Sequence, residues 1–118
     1  MGAPVAFFEL TSHDPGKIGR FYTELFGWTI NQMPDGGYSL IDTGAGEGAI
    51  GGGMGASAGP DDPPGVRIYM RVDDLQAYLD KAGTLGGRTL VPPTDLPGDF
   101  GKFAVFADPD GNPVGLWA

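Results

Sequence analysis

The sequence predicts an α+β fold in which one β-α-β-β-β unit occurs twice. Three observations carry that expectation. Apolar residues recur at helical spacing in two stretches, "SHDPGKIGRFYTELFGW" and "DDLQAYLDKAG". Short apolar runs bounded by glycine, proline and aspartate fill the rest. The second half also follows the first at a nearly constant offset.

"VAFFEL" at 5–10 reads as a buried strand. Asp14 is placed to cap a helix whose first position is Pro15, where a missing N–H costs nothing. Ile18, Phe21, Tyr22, Leu25 and Phe26 then fall on one apolar stripe, and Gly27 can end the helix in a left-handed conformation. Strands are expected at 28–33, 38–43 and 49–53, separated by the turn sequences "PDGG" and "GAGEG". Residues 54–65, "MGASAGPDDPPG", have little to bury and several chain breakers, so they read as a linker. "VRIYMRV" at 66–72 opens the second unit as a strand. Leu75, Tyr78, Leu79 and Ala82 share one helical face, capped by Asp73 or Asp74. "GRTLVPP", "GKFAVFAD" and "NPVGLWA" supply three more strands. One domain, 1–118, is thus expected to hold module 1 at about 5–53 and module 2 at about 66–117.

An offset of 60 carries Phe8 to Ile68, Leu10 to Met70, Asp14 to Asp74 and Gly27 to Gly87. After a longer loop the offset becomes 64, carrying Ile41 to Val105, Ile50 to Val114 and Gly51 to Gly115. Capping residues, glycines and apolar positions coincide, as a duplicated architecture requires. A glycine in mid-strand, as at Gly51 and Gly115, marks a bend or a close approach.

Composition narrows the function classes. The 118 residues contain no cysteine, which excludes disulfides, thiolate metal sites and cysteine nucleophiles. Seven Lys and Arg stand against fifteen Asp and Glu, a formal net charge of −8 that repels phosphate polymers, so neither nucleic acid nor an anionic membrane is an expected partner. No apolar run approaches the roughly 20 residues of a membrane span, and the N-terminus lacks the basic-then-apolar order of a signal peptide. A cytoplasmic protein is expected. "GEGAIGGGMG" lacks the lysine of a phosphate loop, and "DPDGN" lacks the final glutamate of a calcium loop. His13, the single histidine, sits beside the helix cap and reads as a turn residue, and Glu47 reads as a solvated loop charge.

"FFELTSHDPGKIGRFYTELFGW" opening the first copy and "FADPDGNPVGLW" closing the second resemble the vicinal oxygen chelate superfamily, which includes glyoxalase I, bleomycin-resistance proteins and extradiol dioxygenases. The resemblance runs from Val5 to Trp117. It implies two paired modules forming a cupped, incomplete barrel with helices outside. It also implies, in the family's enzymes, a divalent metal held by His or Glu on the first and last strand of each module. Carried over, those positions fall on Phe7, Gly51, Arg67 and Gly115. None offers a donor: Phe and Gly have none, and Arg stays protonated. No metal and no cofactor is therefore expected.

Strand alternation turns Phe7, Glu9 and Thr11 one way, and Arg67, Tyr69 and Arg71 likewise in the second unit. Two arginines on an inner face need a partner, either Glu9 as an internal salt bridge or a ligand's carboxylate or enolate. Phe7, Tyr69, Phe103 and Trp117 are the candidate apolar walls, and Gly51, Gly52, Gly53 and Gly115 are expected to leave an open floor. The reading that follows is a metal-independent small-molecule binding protein, a homodimer, with an organic ligand in the cup between modules. The alternative is a glyoxalase-like lyase or another enzyme of the superfamily, using Glu9 in metal-free acid–base chemistry or a displaced metal site.

Overall fold

Along the chain run β1 (Val5–Ser12), α1 (Pro15–Phe26), β2 (Thr29–Gln32), β3 (Tyr38–Asp42) and β4 (Gly51–Ala56). The same order returns as β5 (Gly65–Arg71), α2 (Leu75–Thr84), β6 (Arg88–Asp95), β7 (Lys102–Ala107) and β8 (Pro113–Trp117). The β-α-β-β-β repeat is therefore present, and the α+β class holds. This computed structural model describes residues 2–34, 37–57, 59–61 and 63–118. The chain divides into two units, one of residues 7–66 and one of residues 67–118 with the N-terminal segment through Ala6.

In the unit of residues 7–66 the strand order is β2-β3-β4-β1, with β1 parallel to β4 and the other neighbours antiparallel. Asp14 caps α1 by accepting the Lys17 N–H at 3.2 Å. Gly27 closes the helix at φ 71°, a conformation in which a Cβ is disfavoured, and returns its N–H to the Thr23 carbonyl. Leu10, Ile41 and Met54 are the buried core, with Phe8, Ile18, Tyr22, Trp28 and Ile30 packed on it. The Tyr22 and Trp28 rings stack at 5.4 Å.

Two expectations for this unit change. The stripe on α1 is only partly used: Ile18 and Tyr22 face the core, but Phe21, Leu25 and Phe26 are 54%, 58% and 57% exposed. Gly19 explains the tilt, because its bare Cα lies against Ile30 and Met54 and makes Ile18–Gly19–Tyr22 the contact line. Strand β4 starts and ends later than expected, so Met54, read as the start of the linker, is a core residue only 2% exposed. "GAGEG" does turn, with Gly44, Gly46 and Gly48 all at positive φ. The predicted "PDGG" turn and part of the 54–65 linker fall on residues 35, 36, 58 and 62, outside the described residues.

In the unit of residues 67–118 the order is β5-β8-β7-β6, again with one parallel pair, β5 with β8. Of the two candidate caps it is Asp74 that accepts the Ala77 N–H, at 3.1 Å. Val72, Leu75, Leu79, Ala104 and Leu116 form the core. Edge strand β6 carries Pro92 and Pro93 and has two register shifts against β7, as a strand lacking two donors must.

Pairing also corrects the repeat. Glu9 lies opposite Gly53 and Leu10 opposite Met54, while Tyr69 lies opposite Gly115 and Met70 opposite Leu116. By register the counterpart of Gly115 is thus Gly53, not Gly51, and the two buried residues Met54 and Leu116 correspond.

The turn from β7 to β8 is held by Asp108, whose carboxyl accepts from Asn112 Nδ2 and N, each at 2.9 Å, and from the Asp110 N–H at 3.0 Å. The Asn112 side chain, then its backbone N–H, hold the Asp108 carboxyl below the ordinary carboxylate value. A lowered folded-state value contributes stability above the unfolded value, and that contribution is lost as pH falls through the folded one. The urea midpoint of Asp108→Asn should therefore trail wild type at neutral pH, with the gap closing below the ordinary carboxylate range. Met54→Ala should lower unfolding free energy by about 2–4 kcal/mol, whereas Leu25→Ala on the exposed face should stay within about 0.5 kcal/mol. Urea denaturation reads both; equal small effects would return Met54 to a linker.

Candidate functional site

Because Leu10 and Met54 pack beneath α1, their neighbours Glu9 and Gly53 face the opposite side of the sheet. Tyr38 starts β3 directly across from Gly55. Its ring crosses β4 over Gly55 and Gly53, and its hydroxyl donates to Glu9 Oε2 at 2.7 Å on the far strand. A Cβ on Gly55 would meet the ring at 3.1 Å, and one on Gly53 would run into the Tyr38 hydroxyl end. The two glycines are what let the phenol reach the carboxyl. Phe7 lies opposite Gly51, where a Cβ would find nothing nearer than the Ile41 carbonyl at 3.8 Å.

The second unit repeats the device. Tyr69, only 6% exposed, lies over Gly115, so that a Cβ there would fall inside its ring. On the same strand and face, the Arg71 guanidinium sits 4.6 Å from the centre of the Trp117 ring. The Trp117 indole N–H donates to the Phe100 carbonyl at 2.7 Å, and Phe103 lies directly across from Trp117. Such a cation over a ring contributes roughly 0.5–1 kcal/mol at an exposed site. Arg67, half-buried, precedes Tyr69 by two residues and shares its side of β5.

Of the residues expected at a site, the structure brings Arg71, Trp117 and Phe103 together in one unit and gives Glu9 a phenol partner in the other. Tyr38 was missed. Its signal was present as alternating glycines, Gly53 and Gly55, which need an aromatic ring on a neighbouring strand to cover the bare backbone. The expected open floor is corrected at three of its four glycines: Phe8 covers Gly52, Tyr38 covers Gly53 and Tyr69 covers Gly115, whereas no side chain lies over Gly51. An apolar cleft of about 380 Å³, walled by Met70, Phe106, Leu116 and Leu85, lies by α2 and contains none of these residues.

The donor set does not fit a divalent cation. Where the resemblance places metal ligands stand Phe7, Gly51, Arg67 and Gly115, and the Gly115 space belongs to Tyr69. Among the described residues no three His, Asp or Glu side chains come together as a metal-holding group. His13 is exposed at the β1–α1 junction and Glu47 is exposed in its turn.

Gly115→Ala should destabilise the chain by about 1–3 kcal/mol, since the buried Tyr69 ring has no room to move. Most of that cost should vanish in a Tyr69→Ala background, the coupling a double-mutant cycle measures. Additive effects would mean that the ring is not what fills the glycine's space.

The sequence profile of the Glyoxalase/Bleomycin resistance protein/Dioxygenase superfamily matches residues 5–116. CFP32 of Mycobacterium tuberculosis, whose name carries the word glyoxylase, is 36% identical over 113 residues, 92% of this chain and 43% of that protein. The anthracycline biosynthesis protein DnrV of Streptomyces peucetius is 34% identical over 133 aligned positions, 98% of this chain and 46% of DnrV. The chain thus spans less than half the length of these curated relatives. Among solved structures, the Mn(II)-bound glyoxalase of Novosphingobium aromaticivorans matches with a TM-score of 0.69 at 14% identity, over 95% of this chain and 36% of that one, a likeness of fold. The profile covers both β-α-β-β-β units, and the chain belongs to the Glyoxalase/Bleomycin resistance protein/Dioxygenase superfamily.

Proposed function

We propose that this chain is a metal-independent binding protein for a small, flat organic molecule. The observation that carries the reading is the loss of donors at the four positions where the resemblance implies ligands: the Tyr69 ring occupies the space beside Gly115, and Phe7, Gly51 and the Arg67 guanidinium offer no metal ligand. What the helix-free faces offer instead is chemistry suited to an organic guest. The Arg71 guanidinium on Trp117 grips a carboxylate, enolate or phenolate, and the Glu9 carboxyl with the Tyr38 phenol takes a hydroxyl or amino group. Phe103 and Trp117 supply flat apolar surface. A relative named for anthracycline biosynthesis, a flat polyhydroxylated aromatic class of compound, supports the same ligand chemistry.

A second reading rests on the 2.7 Å bond between the Tyr38 hydroxyl and Glu9. A carboxyl and a phenol in contact form a proton relay, which metal-free acid–base catalysis on an enolisable substrate requires. Under that reading Glu9 takes the proton and Tyr38 holds the carboxyl in place.

Elemental analysis of the purified protein should find no stoichiometric Zn, Ni, Mn or Fe, and chelator should leave the melting temperature unchanged. Hydroxylated aromatic acids should raise that temperature, since a ligand at a hundredfold excess over its Kd adds about 2.7 kcal/mol to folding. The shift should shrink in Arg71→Ala and in Glu9→Gln. One bound metal per chain would overturn the proposal. Turnover lost in Glu9→Gln with ligand binding retained would select the enzyme.

A further inference from the structure

We propose that the apolar cleft beside α2 is a second binding site, for a small flat aromatic acid. It uses none of the residues on which the function proposed above rests. The cleft measures about 380 Å³, within the roughly 300–1,000 Å³ of small-molecule sites. Its floor is Met70, Phe106 and Leu116, and Leu85, 69% exposed, stands at its side.

The duplicated architecture identifies what this space lacks. Leu10 lies opposite Met54, and Ile41 lies opposite Gly52, two residues before Met54. In the same way Met70 lies opposite Leu116, and Phe106 lies opposite Val114, two residues before Leu116. The floor residues are therefore the register counterparts of Leu10, Ile41 and Met54, the buried core of the first unit. There the Tyr22 ring packs on that core, Trp28 stacks on Tyr22 at 5.4 Å, and Phe26 stacks on it at 6.1 Å. Counted from the caps Asp14 and Asp74, the residue of α2 that corresponds to Tyr22 is Ala82. Helix α2 then ends at Thr84, and Leu85, Gly86, Gly87 and Arg88 follow, with no ring to match Phe26 or Trp28. The same sheet positions are thus roofed by a helix that has lost the rings closing them. Met70 and Phe106 stay half-buried where Leu10 and Ile41 are buried.

The missing groups define the guest. In the first unit the space holds nearly parallel rings, at interplanar angles of 16° and 21°. A guest of one or two fused rings restores that packing on the same apolar floor. Lys81 also lines the cleft, with an apolar stem and a charged head. Among the described residues its exposed ammonium makes no ion pair. Asp108, the acid on the lining, has both carboxyl oxygens engaged by the Asn112 and Asp110 donors of its own turn. Lys81 therefore offers the guest its counter-charge, and a carboxylate on the ring completes the match.

Naphthalene-2-carboxylate should bind the wild-type chain and shift the NMR methyl signals of Met70, Leu85 and Leu116, leaving those of Leu10 and Met54 in place. This mapping locates the guest whether or not any variant folds. Ala82→Phe, which rebuilds the ring of Tyr22, should abolish binding and raise the melting temperature. Arg71→Ala should leave binding unchanged, which separates the cleft from the helix-free face. The neutral naphthalene-2-carboxamide should bind about threefold more weakly, a difference that Lys81→Met removes. Decanoate, whose flexible chain must be ordered, should bind about tenfold more weakly. The site is refuted by no binding to the wild type, by shifts confined to other methyls, or by full binding in a folded Ala82→Phe. A carboxamide or decanoate that binds as well as the aromatic acid would refute its stated chemistry.

Discussion

Tyrosine rings lying on glycines organise the strands of both units. A strand glycine ordinarily weakens a sheet, since it has no side chain to pack and leaves its backbone bare. Here the missing volume is filled from a neighbouring strand: Tyr38 spans β4 by way of Gly55 and Gly53, and Tyr69 lies on Gly115. The Tyr38 ring ties β3 to β1 across β4, whereas Tyr69 lies on the strand its own β5 pairs with. The register of Tyr38 against Gly55 and of Tyr69 against Gly115 then decides which atoms the helix-free faces present.

The opposite faces follow a more ordinary logic. Each helix lies on its own sheet through apolar residues three and four apart, and each core gathers around a residue of the closing strand, Met54 in one unit and Leu116 in the other. The two units nevertheless treat their helices differently. Leu75 and Leu79 are buried in α2, whereas no residue of α1 is buried. Gly19 brings α1 down on a narrow line, and the side chains that flank this line stay in solvent.

Family membership and local chemistry point in different directions. The superfamily includes a Mn(II)-bound glyoxalase of the same fold. Where the resemblance implies ligands, this chain has a phenylalanine, two glycines and an arginine. Charge is still placed with care, as Arg71 on Trp117 and Glu9 under Tyr38 show.

The sequence by itself determined the order of elements, the caps and the absence of donors. Asp14 and Gly27 act on atoms within one helical turn, so contiguous residues suffice to specify them, whereas the choice of Asp74 over Asp73 at α2 came from the structure. The duplication was legible for the same reason, since both copies spell out the same local instructions. Tertiary structure decided the rest. Tyr38 and Glu9 are 29 residues apart, and their bond exists only because β4 is inserted between their strands with glycines on the correct face. The match of Gly115 with Gly53, the burial of Met54 and the exposure of Phe21 likewise depend on register and helix tilt. Those are set by packing between distant segments, and a one-residue slip would reverse each of them.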